Sequence, residues 1–220
     1  MEKRPSFFFI LSFVAAVVVL SSCQKKPQNE CGFVQNIYGQ RISWKSDKPV
    51  DLYIHSSVPM ALRASIYRAA ATWEAQIGHP VFRISEDSSQ VSASPSRDQK
   101  NGIYFLPKWE SDKTSEQGRT SVYWASDTIV EADILVNASD FAYYGTENSK
   151  TLYGGFRMKQ AGRTILDGYN FEALMLHEMG HMLGLKHQEG SSVMRTYLGA
   201  FENRTRLAAA DQKMVSCEYN

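Results

Sequence analysis

The sequence predicts an α+β domain with a twisted mixed sheet, long helices and a small irregular C-terminal subdomain that ends in a helix. Short segments in which apolar and polar residues alternate indicate strands, and three segments with apolar residues at helical spacing indicate helices. The second of these helices is predicted at residues 171–183, and three of the five histidines lie in it or just after it. We expect the rest of the chain to be organised around that helix.

The first strand is predicted at residues 49–58, where apolar and polar side chains alternate. Pro59 favours a helix start, and residues 60–77 follow with one apolar stripe that we expect to lie in the core. The stripe consists of Leu62, Ile66, Ala69, Trp73 and Ile77. Gly78 is expected to end the helix, because glycine readily takes the left-handed conformation at a helix C-terminus.

Further strands are expected before the histidine-rich helix. They are predicted at residues 81–84, 102–107, 121–124 and 129–137, the last two as a hairpin around Ser126-Asp127. Residues 85–101 are polar and predict a solvated loop. Residues 138–168 are rich in tyrosine, glycine and small polar side chains. We expect them to wrap one rim of the domain and to supply the edge beside the functional site.

The last two helices have distinct signals. Asn170 is a candidate N-cap for residues 171–183, because its side-chain oxygen can accept a hydrogen bond from a free backbone N–H. Residues 204–217 predict a C-terminal helix. Its inner face is expected to consist of Leu207, Ala210, Met214 and Cys217.

Residues 177–187 read His-Glu-Met-Gly-His-Met-Leu-Gly-Leu-Lys-His. His177 and His181 are four residues apart, which places both imidazoles on one face of a helix. Gly184 can take a positive φ and turn the chain, which would bring His187 to the same point. Three imidazoles with one open position are typical of a catalytic Zn²⁺ site.

Glu178 follows the first of these histidines. On a helix it is turned by about 100° from that residue. This direction suits a general base beside the metal better than a metal ligand.

A second feature follows the third histidine. The chain continues Ser191-Ser192-Val193-Met194, so a methionine lies at a turn just past His187. The histidine motif and this methionine resemble the metzincin clan, and the Ser-Val-Met turn is most similar to the matrixins. The resemblance implies a metzincin-like fold and a hydrophobic floor of Met194 under the imidazoles.

The resemblance has one departure near the expected specificity pocket. Arg195-Thr196-Tyr197 replaces the Tyr-Pro pair with which matrixins usually begin the wall of that pocket. Tyr197 is therefore assigned either to this wall or to a position near the metal.

The resemblance and the motif together predict a zinc-dependent endopeptidase that acts on a protein or peptide substrate. Glu178 would take a proton from the attacking water and later pass it to the leaving amine. An alternative is a non-catalytic envelope protein in which zinc only stabilises a binding or adhesion module. Another is an enzyme that acts on a peptide or cell-wall fragment, which the sequence does not separate from the first hypothesis.

The N-terminus has the pattern of a targeting segment. Charged residues precede an apolar run at residues 7–20, which is short for a membrane-spanning helix but typical of a signal peptide. Leu20-Ser21-Ser22-Cys23 resembles a bacterial lipobox, which implies cleavage before Cys23 and lipid on its thiol. Gln24 after the cysteine favours the outer membrane, by resemblance to known sorting rules.

These signals divide the chain into three parts. Residues 1–22 are predicted to be a lipoprotein signal peptide, residues 23–48 a lipid-anchored tether and N-terminal segment, and residues 49–220 the catalytic domain. Removal of the signal peptide leaves 22 of the 24 basic and 22 of the 23 acidic residues. A net charge near zero argues against nucleic acid as a partner, and we expect a monomer in the bacterial cell envelope.

Two cysteines remain after Cys23 is assigned to lipid. Cys31 and Cys217 lie near the two ends of the mature chain, and outside the cytoplasm such a pair is expected to be oxidised. An alternative is that the Cys31 thiolate occupies the open zinc position and holds the enzyme inactive. The flanking sequence Glu-Cys-Gly-Phe lacks the arginine and proline of the matrixin switch.

The lipoprotein hypothesis predicts the behaviour of a Cys23→Ser variant. Without the thiol no lipid is attached, so the variant should appear in the soluble fraction while the parent protein sediments with membranes. Immunoblotting of both fractions measures this. A Cys23→Ser protein that stays with the membranes would contradict the lipid anchor.

Overall fold

The computed structural model describes residues 26–46, 48–145 and 148–219. The predicted signal peptide and the predicted lipidation site Cys23 lie outside these residues. Within the described ranges, no helix combines the length and the apolar character needed to cross a membrane.

The described chain forms eight strands, four α-helices and one short 3₁₀ turn. In order they are β1 (Val50–Ile54), α1 (Met60–Ile77), β2 (Phe82–Ser85), the 3₁₀ turn (Ser88–Gln90), β3 (Gly102–Leu106), β4 (Gly118–Ala125), β5 (Thr128–Asn137), β6 (Ala142–Gly145), β7 (Asn148–Gly154), α2 (Phe156–Gln160), β8 (Tyr169–Asn170), α3 (Phe171–Met182) and α4 (Ala209–Val215). This is an α+β architecture, as the sequence predicts.

The main sheet has five strands in the order β2-β1-β3-β5-β4. Strands β1, β2, β3 and β5 run parallel, and β4 pairs antiparallel with β5 at one edge. The predicted hairpin is confirmed, because Ala125 pairs with Thr128 and Ser126 takes a positive φ of 57° at the turn. A second sheet has the order β7-β6-β8.

Helix α1 packs its predicted stripe into the core. All five stripe residues are at most 5% exposed. Trp73 donates a hydrogen bond from Nε1 to the carbonyl oxygen of Leu176 at 2.9 Å, which ties α1 directly to α3. Gly78 ends the helix with a φ of 87° and donates its N–H to Glu74, as the sequence predicts.

Two predictions about the sheet edge and the C-terminal helix were wrong. Residues 138–168 form α2 and most of the small second sheet, whereas β4 is the edge strand beside the cleft described below. The C-terminal helix spans only 209–215, and Ala210 is exposed while Asp211 is fully buried. The pattern of apolar residues did not predict this buried face of the helix, because such a pattern places a charged residue such as Asp211 on the solvent side.

The N-terminal segment is part of the same core. Phe33 and Ile42 are fully buried with the apolar residues of the sheet and of α3. Cys31 is joined to Cys217 by a disulfide across a sequence separation of 186 residues, with the two Cα atoms 6.3 Å apart. The sulfur of Cys31 is therefore bonded at the C-terminal end of the chain and not at the histidines.

One buried carboxyl group on the outer face of the sheet makes stability depend on pH. Asp133 is only 3% exposed, and its Oδ1 accepts a hydrogen bond from the Gly102 N–H at 2.8 Å. Burial raises the pKa of Asp133 to about 7, against the smaller effect of this bond, and the nearby carboxylates of Glu131 and Asp98 raise it further.

We predict that Asp133→Asn reduces this pH dependence. Between pH 3.8 and about 7 the folded chain keeps a proton that the unfolded chain has lost. The free energy of unfolding therefore falls as the pH rises through this window, by roughly 2–3 kcal/mol between about pH 5 and pH 8. Asparagine keeps an acceptor for Gly102, so in urea unfolding the fall should be smaller in the variant than in the parent by about this amount. An unchanged pH dependence would contradict the assignment.

Candidate metal centre

Helix α3 is fixed at both ends. At its start, Asn170 Oδ1 accepts hydrogen bonds from the N–H groups of Glu172 and Ala173 at 3.0 and 3.2 Å, which confirms the predicted N-cap. At its end, Gly184 takes a φ of 99°. A Cβ at this position would collide with the carbonyl oxygen of Ile42. Glycine is thus required for the conformation and also for the close approach of the N-terminal segment.

The turn at Gly184 brings three imidazoles together. One ring nitrogen from each of His177, His181 and His187 lies within 4.8 Å of the others. The Nε2 atoms of His177 and His181 are 3.1 Å apart. His177 is buried, His181 is partly buried and His187 is exposed, so the cluster lies at the border between core and solvent.

The other nitrogens of two rings are held by backbone carbonyls. His177 Nδ1 lies 2.8 Å from the Val193 oxygen, and His181 Nδ1 lies 2.8 Å from the Leu185 oxygen. Since a carbonyl only accepts, each Nδ1 must carry the proton, and Nε2 keeps its lone pair. This tautomer is the one that binds a metal through Nε2.

The protein environment favours the neutral form of these rings. Burial lowers the pKa of His177 to about 3 and that of His181 to about 4. Burial also lowers the pKa of His187. Three neutral imidazoles that converge on one point fit a Zn²⁺ ion with an open fourth position.

Glu178 lies beside the histidines and against the edge strand β4. It is 3% exposed, and its Oε2 accepts a hydrogen bond from Thr120 Oγ1 at 2.7 Å. A Cβ at Gly118 would lie 2.8 Å from Oε1, so glycine leaves room for this carboxylate. Burial raises the pKa of Glu178 to about 7, and the Thr120 bond partly opposes the shift. Such a group can accept and release a proton near neutral pH.

Met194 packs against helix α3 at Gly180. It is fully buried, and its sulfur packs against Gly180, where a Cβ would collide with it. The turn that carries it is held by Asp211, whose carboxylate accepts hydrogen bonds from the Ser192 hydroxyl and from the N–H of Val193 at 3.0 Å. Since the Val193 oxygen lies 2.8 Å from His177 Nδ1, this carboxylate is linked to one ring of the histidine cluster through one residue.

A cleft of about 570 Å³ opens over the site. One wall is β4, and the other is formed by residues 195–198 together with Arg204. Tyr197 lines this cleft and is 69% exposed. The guanidinium group of Arg204 donates to the carbonyl oxygens of Arg195 and Tyr197 at 3.2 and 3.0 Å, so it holds the second wall in place.

The structure thus brings most of the predicted site residues together. The three histidines, Glu178 and Tyr197 line one cleft, whereas Met194, Cys31 and Cys217 do not line it. Sequence reasoning missed Gly118, Thr120, Gly180, Arg204 and Asp211. These residues act through contacts between distant segments, and only the Ser-Val-Met turn gave a local signal that something must hold it.

Comparison with known families agrees with this geometry. A model of the matrixin family matches residues 60–220, which is most of the chain and includes all three histidines. The chain belongs to the matrixin family. No curated protein matches it in a sequence search. Family membership indicates a metalloprotease, and the three-histidine cluster is compatible with the zinc that matrixins bind.

The match does not cover the whole described fold of this matrixin. It begins at residue 60, the first residue of α1. Strand β1 and the packed N-terminal segment therefore lie outside the matched range. The contacts of that segment with the metal-binding turn are properties of this chain and do not follow from the match.

We predict that Asp211→Ala strongly destabilises the protein. The change leaves the N–H groups of Val193 and Ala208 and the Ser192 hydroxyl without their acceptor in a fully buried place. The free energy of unfolding should fall by roughly 3–5 kcal/mol, as measured in urea. Asp211→Asn retains one acceptor oxygen and should lose less. A loss below about 1 kcal/mol for the alanine variant would contradict this role.

Proposed function

We propose that this matrixin is a zinc-dependent endopeptidase that uses Glu178 as its general base. The observation that supports it best is the pair of hydrogen bonds that fix the protons of His177 and His181 on Nδ1. They leave two Nε2 lone pairs that converge with His187 at the floor of an open cleft. A carboxylate lies in the same cleft.

One set of residues would bind the metal, and another would transfer protons. His177, His181 and His187 would hold Zn²⁺ as neutral ligands. When bound, zinc supplies Lewis acidity to water and to the substrate carbonyl. Glu178 accepts a proton from the attacking water and later donates it to the leaving amine. Thr120 keeps one carboxylate oxygen in place during both transfers.

The cleft supports an extended peptide as substrate. Strand β4 is one of the two edge strands of the five-stranded sheet, and Gly118, Thr120 and Val122 line the cleft. An extended chain can add to such an edge through main-chain hydrogen bonds, while its side chains enter pockets on the far wall. Tyr197 is placed to contact these side chains.

The alternative is a non-catalytic protein in which zinc only stabilises a binding or adhesion module. A structural zinc site is normally closed by four protein ligands. Within the described residues, the cluster offers three. A buried carboxylate next to it would also lower stability without any structural benefit. Both features favour the enzyme, while a peptide or cell-wall fragment remains a substrate class within the same proposal.

We further propose that the enzyme is a monomer anchored to the bacterial envelope by lipid on Cys23, with the outer membrane favoured. The lipobox-like sequence supports this location. The N–H of Gln28 donates to the Gly39 oxygen at 2.8 Å, so the chain already contacts the domain about five residues after Cys23. An anchored domain would therefore stand close to the membrane surface.

The decisive test compares two acid-to-amide variants on the same helix. Glu178→Gln should bind about one zinc per chain by elemental analysis, yet cleave a peptide library roughly 10²–10⁴-fold more slowly, because the proton acceptor is gone. Glu172→Gln is the matched control. Glu172 pairs with Arg68 and does not line the cleft, so its turnover should be retained.

Three other outcomes would each count against a different part of the proposal. Equal turnover in Glu178→Gln and the parent would refute the mechanism. Zinc binding without any cleavage by the parent protein would favour the binding module. A folded parent without zinc would refute the metal site itself.

A further inference from the structure

Residues 30–34, the N-terminal strap, cross behind the turn that carries the third histidine. The N–H of Val34 donates to the Gly184 oxygen at 2.9 Å, and the N–H of Lys186 donates to the Gly32 oxygen at 2.9 Å. Phe33 and Leu185 thus form an antiparallel bridge. Both side chains are almost completely buried, so the bridge is anchored in the core.

The bridge acts on two of the three histidines. The Leu185 oxygen is the acceptor for His181 Nδ1. Because the strap binds the groups on either side of Leu185, it fixes the direction of that carbonyl. His187 follows Lys186 directly, and the strap binds the N–H of Lys186. The strap therefore fixes the orientation of the His181 imidazole and the backbone position from which the His187 side chain extends.

The strap is itself pinned to the C-terminal segment. Cys31 is bonded to Cys217 and takes a positive φ of 49°, followed by Gly32 with a φ of 78°. Arg41 donates to the backbone oxygens of Asn29 and Cys217 at 2.8 and 3.0 Å, which joins the same two segments a second time. The disulfide and Arg41 thus hold the strap against the C-terminal segment.

The C-terminal segment also closes the end of α3. Tyr219 donates its hydroxyl to the Leu183 oxygen at 2.7 Å, and Trp44 donates Nε1 to the Met182 oxygen at 2.8 Å. These carbonyls have no partner inside the helix. The two terminal segments together satisfy the helix end at the point where the chain turns toward His187.

We infer that the N-terminal strap, locked by the Cys31–Cys217 disulfide, is a positioning element for His181 and His187. It keeps the zinc ligands in place before the metal binds, so the disulfide governs how long zinc is retained as well as global stability. The inference rests on the proposed zinc site. The strap precedes the range matched by the family, so the role is argued from this chain alone.

The test measures zinc release from the zinc-loaded Cys31→Ser/Cys217→Ser variant into a chromogenic chelator. Loss of an outer contact to a ligand typically weakens metal binding 10–100-fold, so release should accelerate by about tenfold or more. Hydrogen exchange should also rise in the peptide covering residues 183–187, while the peptide covering α1 remains as in the parent.

A matched control separates positioning from general stability. Ile84→Ala removes a partly buried side chain on β2, at the opposite edge of the sheet from β4. It should lower the thermal midpoint yet leave zinc release unchanged. If the double cysteine variant also lowers only the midpoint, with parental zinc release and parental exchange at 183–187, the inference is overturned.

Phe33→Leu provides a second variant that keeps the disulfide and an apolar side chain. It should accelerate zinc release in the same direction, by a few-fold, and unchanged release in this variant would also count against the strap. If the parent protein binds no zinc, the proposed function fails. The exchange experiment on the metal-free protein still tests whether the strap orders residues 183–187, so the two failures are distinguishable.

Discussion

Two hydrogen bonds between ring nitrogens and backbone carbonyls define what this site can do. His177 and His181 each have the Nδ1 proton committed to an oxygen, of Val193 and Leu185 respectively. The remaining nitrogen of each ring is then an acceptor with a fixed direction. Both oxygens belong to residues that follow α3, so the helix alone presents the imidazoles without orienting them. The orientation comes from the turn at Gly184 and from the turn that carries Met194.

The supports of these two carbonyls come from opposite ends of the chain. Val193 is held by the carboxylate of Asp211, which also binds the N–H of Ala208 at the start of α4. Leu185 is held by the bridge to Phe33. The disulfide then joins the two supporting segments to each other. The histidines are close together in the sequence, but the segments that support them lie near the two ends of the chain. The buried polar groups of these segments are linked to one another.

The sequence predicted the parts of this site that depend on local geometry. The four-residue spacing of His177 and His181, the positive φ of Gly184 and the stripe of α1 follow from helix periodicity and from the freedom of glycine. The hydrogen bonds of Thr120 and Asp211 join residues far apart in the chain, and no periodic pattern encodes them. Strand β4 was predicted too short, because its first three residues, Gly118, Arg119 and Thr120, include no apolar side chain and so lack the usual alternation.

The placement of Glu178 is unfavourable for stability, and the proposed role as a general base accounts for it. A carboxylate in a buried position normally needs a cation or several donors. Within the described residues, the hydrogen bonds to this side chain come from Thr120 alone and reach only Oε2. Gly118 leaves the space beside Oε1 free of a side chain, and the group faces the cleft. One oxygen is thus held while the other is left available, which is the arrangement that a proton acceptor requires and that a purely structural residue would avoid.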